Sequence, residues 1–220
     1  MIVATMSLEE KLVRVRAEVE RVLRKHERKV AEMQRAVKIS RDKAPRIHQA
    51  DYRSPDQIDW VVTIRCTKKR DKVFLAAWWH IKGVGLEAMI LGVDSAFYLD
   101  SHFFQRYRIR ESDVVGAADN LRTFLRANYD VTTKHLDSER HGMREVAGVA
   151  QEGLLVGTIR PTGIIAFDTY LSNDMLRGDQ QALQQELQFH ATTKDWKPAR
   201  LQQYRSMVDE LLRMFEEEPD

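Results

Sequence analysis

The chain has 220 residues, of which 43% are apolar and 31% charged. That balance belongs to an ordinary globular protein, neither a disordered chain nor a membranous one. Lys and Arg number 35 against 33 Asp and Glu, a formal charge of +2, so no global field directs the chain to nucleic acid or anionic lipid.

A chain of this size buries roughly 70% of its unfolded surface and needs no disulfide or metal staple. The one cysteine, Cys66, excludes an internal disulfide and lies in an apolar run, the setting of a buried and inert thiol. No apolar stretch approaches the roughly 18 residues of a bilayer-spanning helix. Met1–Thr5 is short for a secretory signal, and charges follow at once. The expected address is the cytoplasm.

In chain order, Ser7 and Glu10 form a capping-box pattern that opens a helix to about Lys38, free of Gly and Pro. Leu8, Leu12, Val15, Val19, Val22, Val30, Met33 and Val37 mark a seam spaced mostly by three and four, with His26 inside it. Such a seam predicts another helix against it, in coiled-coil fashion. The basic cluster from Arg21 to Lys29 is interleaved with Glu and reads as a solvated face. Residues 40–57, with Pro45 and Pro55 among charged residues, read as a linker. Ile58–Cys66 and Lys72–His80 are rich in Val, Ile, Phe and Trp and predict a hairpin around Thr67–Asp71. Trp78 and Trp79 then face opposite sides, so at most one sits in the main core, and the other is a stacking platform or lies beneath a terminal helix. Gly83–Val93 and Ala96–Leu99 add further strands.

Asp100 or Ser101 caps a helix through Arg110. Ser112 starts another, with Val115, Ala118, Leu121 and Leu125 as its apolar stripe. After a polar stretch, Arg144–Ala150, Gly153–Arg160 and Gly163–Leu171 read as strands and Asp179–His190 as a helix. Pro198 opens a final helix carrying Leu201, Tyr204, Val208, Leu211 and Phe215. Strands grouped in meanders predict an α+β fold, an antiparallel sheet flanked by helices with long N-terminal and C-terminal helices. The organisation is a helix over 1–40, a linker over 41–57, a core over 58–195 and a C-terminal helix over 196–220. That last helix packs on the core or on the first helix.

Walker, Rossmann, HExxH, Cys/His zinc and GxSxG patterns are all missing, so no cofactor or metal is expected. His135 and His141 flank Asp137 and Glu139, a spacing common by chance. The densest chemistry lies in Asp100–Arg110. On a helix, His102 and Arg106 stand one turn apart on one face, with Gln105 beside them. The helix N-terminus favours a neutral imidazole, a proton acceptor next to a guanidinium able to hold phosphate. Tyr107 offers stacking or a proton, and Arg110 a further cation. The competing reading is structural: Phe103, Phe104 and Tyr107 bury the helix while its arginines face water. In Phe167–Leu176, Asp168 and Thr169 lie at a strand end where they can assist, with Asp168 orienting His102. Ser172 or Asn173 caps the turn that follows.

Ser101–Arg110 and Phe167–Met175 together resemble a pattern in uncharacterised bacterial and phage proteins, over roughly residues 97–180. More distantly, a His-x-x-x-Arg helix beside an antiparallel meander is similar to ribonuclease toxins of the barnase, colicin and RelE kind. That resemblance implies a metal-independent site in which His102, Arg106 and Thr169 surround a scissile phosphate. Two functions therefore stand as expectations. One is an intracellular interaction or oligomerisation protein that binds itself or a partner through the first helix. The other is a ribonuclease-like enzyme acting on RNA, with no membrane role in either case.

Overall fold

The computed structural model describes residues 2–42, 44–92, 95–111, 116–128 and 131–193. The predicted capping box is formed: Ser7 Oγ accepts the Glu10 amide at 3.2 Å, and Glu10 Oε2 accepts the Ser7 amide at 2.7 Å. It starts α1 (Leu8–Ile39). Among the described residues, nine strands follow in two meanders. The first is β1 (Arg46–Arg53), β2 (Asp59–Cys66), β3 (Asp71–Ile81), β4 (Gly85–Leu91) and β5 (Ala96–Leu99). Then come α2 (Ser101–Glu111) and α3 (Ala117–Ala127). The second meander is β6 (Thr132–Arg140), β7 (Met143–Val149), β8 (Gly153–Ile159) and β9 (Ile164–Ser172), before α4 (Asp179–Thr193).

All nine strands form one sheet in the order β1-β2-β3-β4-β5-β9-β8-β7-β6. Every neighbouring pair is antiparallel except β5 and β9, which run parallel from Ala96 opposite Ile164 to Leu99 opposite Phe167. The α+β class holds, but the sheet is mixed rather than wholly antiparallel. The predicted C-terminal helix lies outside the described residues.

Strict alternation along the central strands sends side chains to two cores. On one face Trp60, Val62, Ile64, Ala77 and Met89 meet Leu12, Val15, Val22, Met33 and Val37 of α1. The α1 seam thus packs on a sheet, and the coiled-coil partner it predicted is replaced by the chain's own strands. On the other face Val61, Ala76, Ile90 and Phe167 meet Phe103 and Tyr107 of α2 and Leu121 and Phe124 of α3. The aromatic rings there meet edge to face, Phe103 with Phe124 at 5.2 Å and Tyr107 with Tyr170 at 5.1 Å, the geometry their quadrupoles favour. A smaller cluster of Ala147, Val149 and Leu154 lies under Leu187 of α4. Leu154 alternates with Leu155 of the second core, so α4 shares a sheet face with α1.

One ionic group lies inside the α1 core. Lys11 Nζ donates to Glu87 Oε2 at 2.8 Å, and both side chains are under a tenth exposed. Trp79 Nε1 donates to the same oxygen at 2.7 Å. The ammonium also lies 5.5 Å from the Trp79 ring and 5.8 Å from that of Tyr98. Burial, and then the neighbouring Glu87 carboxylate, push the Tyr98 phenol above its ordinary range. Trp79 is therefore the indole beneath a terminal helix, while Trp78 packs against the opposite core. Cys66 is buried, and burial raises its pKa, as the apolar run implied.

Candidate functional site

Asp100 caps α2 by accepting the Phe103 amide at 2.8 Å. The helix therefore starts where predicted and fixes the phase of its faces. Phe103, Phe104 and Tyr107 point inward and are buried; His102, Gln105, Arg106 and Arg108 point outward and are exposed. His102 and Arg106 share the outer face, as their spacing requires.

A bulge in β9 supplies the partners. Val156 pairs with Thr169 but Gly157 pairs with Phe167, leaving Asp168 as the extra residue. Arg106 Nη1 donates to Thr169 Oγ1 at 2.7 Å, and Thr169 Oγ1 donates to Asp168 Oδ1 at 2.8 Å. Asp168 Oδ2 accepts from Arg140 Nη2 at 2.7 Å, and Arg140 Nε lies 3.4 Å from Glu145 Oε1. Burial raises the pKa of Asp100, the nearby Asp168 raises it further, and the Phe103 amide and His102 act the other way.

Arg106, Thr169 and Asp168 thus form one hydrogen-bonded chain. Asp168 is held by Arg140 and Thr169. Tyr107 is wholly buried, and its hydroxyl donates to Glu152 Oε2 at 2.9 Å, so it belongs to the core instead of facing a ligand. Gln105 is exposed beside Arg106. Arg110 lies on α2, with its side chain outside the described residues. Arg140 was missed because its charged strand, β6, read as polar connection. Arg140 faces Asp168 and Glu145, whereas Arg106 donates to the uncharged Thr169 hydroxyl.

Two concavities lie elsewhere. A recess of about 610 Å³ opens where β3 begins, β4 ends and β5 begins, lined by Val19, Leu23, Val73, Leu75, Leu91 and Phe97 and reaching Leu125, Asn128 and Val131. A second, of about 270 Å³, is lined by Leu23, His26, Val30, Ala31, Gln34 and Val73. Leu23 and Val73 border both, so the two adjoin beside α1 and make a groove there. Val19 and Val30, the partly buried members of the seam, border this space together with Leu23 and Gln34. Leu23 is 39% exposed. The signal for it was present in the sequence as a leucine next to the seam. None of His102, Arg106, Thr169 or Asp168 lines either recess. No group of three His, Cys, Asp or Glu among the described residues can hold a metal ion, His135 and His141 included. No helix among them is long and apolar enough to cross a membrane. No protein-family model, curated protein or solved structure matches the chain.

Proposed function

We propose that the chain is a non-enzymatic interaction protein that takes an amphipathic helix of a partner into the groove along α1. The observation that carries this reading is the apolar recess beside α1. Leu12, Val15, Val22, Met33 and Val37 are buried against the sheet, while the partly buried Val19 and Val30 and the exposed Leu23 border open space, the larger part of it of ligand-binding size. Helix-in-groove recognition uses anchors at such spacing on one side and an apolar trough on the other. A photo-crosslinking residue at position 23 of the full chain, activated in the producing cell, tests the idea. The expected product joins a second protein through a peptide with apolar residues three and four apart, and Leu23→Glu weakens its capture. Capture unaffected by Leu23→Glu overturns the reading.

A ribonuclease-like site remains the second reading, supported by the meeting of Arg106, Thr169 and Asp168 next to exposed His102. It requires RNA cleavage by the pure chain that His102→Ala abolishes. Absence of cleavage, or cleavage indifferent to that change, removes it.

A further inference from the structure

The sheet ends on one side at β1, whose outer edge faces no other strand among the described residues. Its counterpart at the far end, β6, carries a register shift between His135 and Glu139, the kind of bulge that protects an edge. β1 pairs with β2 without interruption, from Arg46 opposite Cys66 to Arg53 opposite Asp59. The phase of its backbone follows from the closed end of that hairpin, where the Ser54 amide donates to the Ile58 carbonyl at 2.9 Å. Hydrogen-bonded positions alternate along an antiparallel pair. His48, Ala50 and Tyr52 therefore turn their amides and carbonyls to β2, and Ile47, Gln49, Asp51 and Arg53 turn theirs outward. Tyr52 packs on the α1 core, which puts the side chains of the first set on the α1 face. The second set faces α3. There Gln49 Nε2 donates to Thr63 Oγ1 and to the Arg122 carbonyl, both at 3.1 Å, and Asp51 Oδ2 accepts from Arg122 Nη2 at 2.6 Å. Those two side chains are tied back toward the protein, while Ile47 is an exposed apolar residue at the edge.

We propose that a second copy of the chain docks on β1, antiparallel to it and centred on Ala50, so that one sheet runs through both copies. Such a strand-to-strand interface is self-complementary about a two-fold axis. In this register Ile47 meets Arg53 and Gln49 meets Asp51, each twice. Every outward residue finds an outward partner, and together they exchange about eight backbone hydrogen bonds. Ala50 meets Ala50 of the second copy at a non-hydrogen-bonded position, where Cα atoms approach to about 4.5 Å and a small side chain fits the axis. On either side of it His48 faces Tyr52. Burial, then Lys29 and His26, lower the His48 pKa, which leaves a neutral ring to pack on the phenol. No like charges oppose each other. A shift of two residues one way sets Asp51 against Asp51. The other way sets Arg53 against Pro45, which has no amide hydrogen. The charges that blunt indiscriminate pairing thus leave one register open. Because the axis is perpendicular to the sheet, both α1 helices lie on the same face, and the dimer turns its two grooves to the same side. The interface is independent of what the groove binds.

The test uses the full chain. Sedimentation is expected to give a species of twice the chain mass. Ala50→Glu, which sets two carboxylates against each other on the axis, is expected to return it to monomer. Cysteine trapping reads the register whether or not that variant folds, with Cys66 buried and out of reach. Ala50→Cys brings two thiols within the Cα separation a disulfide needs and should form a linked dimer on mild oxidation. Ile47→Cys lies on the same edge, but the two copies of residue 47 are about 20 Å apart in this register. Its linkage should be about tenfold slower, since the second thiol is then met only by chance collision. A parent chain that stays monomeric overturns the proposal. So does a dimer that a folded Ala50→Glu leaves intact, or one in which Ile47→Cys links as fast as Ala50→Cys.

Discussion

Replacing Lys11 with Met removes the cation from a buried pair while keeping the length of the aliphatic stem. Glu87 Oε2 then keeps the hydrogen bond from the Trp79 indole and loses the ammonium that faced it. Stranding a buried carboxylate in this way costs about 3–5 kcal/mol. For a chain of this length, where roughly 2–4 °C accompany each kcal/mol, the melting temperature should fall by about 6–20 °C. Urea unfolding followed by tryptophan fluorescence reports it directly, since Trp79 sits in the affected group. The midpoint should drop with an unchanged slope. The double variant Lys11→Met/Glu87→Gln provides the control: the amide oxygen still accepts from Trp79 Nε1 and carries no charge. It should recover most of the loss, leaving the pair coupled by more than about 1 kcal/mol in the cycle. A Lys11→Met chain within about 1 kcal/mol of the parent refutes the claim that this pair fixes α1 on the sheet.

Two further outcomes follow from packing and charge. Glu18 is buried on α1, and burial first, then its hydrogen bond to Asp56, raise its pKa above the carboxylate reference of 4.5, although Ser54 and Arg21 pull it down. A carboxyl whose folded pKa is raised binds its proton more tightly in the native state. Its contribution is therefore present below pH 4.5 and is lost as pH rises through the folded value. Asp56, lowered by the same hydrogen bond, acts in the opposite sense at lower pH. Glu18→Gln should thus flatten the fall in stability from pH 4.5 upward in urea titrations at successive pH values, and a slope identical to the parent's contradicts the assignment. In β8, a Cβ on Gly157 would overlap the Ala166 carbonyl across the β9 bulge. Gly157→Ala should therefore cost about 1–3 kcal/mol of unfolding free energy. A neutral result would show that the bulge relaxes freely.

The strands buried on both faces were readable because continuous apolar runs mark them: β2, β3, β8 and β9 all lie near their predicted limits. The two edges were not. Residues 40–57, expected as linker, contain β1, and the polar stretch before Arg144 contains β6. Each edge strand pairs on one side only, and both are dominated by intermediate and exposed residues, with charges that blunt edge-to-edge association. Their hydrophobic alternation is therefore too weak to read. The site inherits this blind spot, since Arg140 comes from β6. By contrast, the spacing of His102 and Arg106 needed only helical geometry. The parallel junction of β5 and β9 depends on residues far apart in the chain, and nothing local encodes it.

Among the described residues, that junction is the only strand pairing between the first five strands and the last four. Each group is a chain of short hairpins, in which neighbours in sequence meet with little loop entropy to overcome. Joining them brings Ala96 to Ile164 across the whole intervening stretch of α2, α3 and three strands. A parallel match between residues so far apart in sequence raises the contact order, which slows folding in general. Since α2 leaves β5 immediately and lies against β9 through Phe103, Tyr107 and Tyr170, its aromatic face clasps the two strand groups to each other across their one short seam.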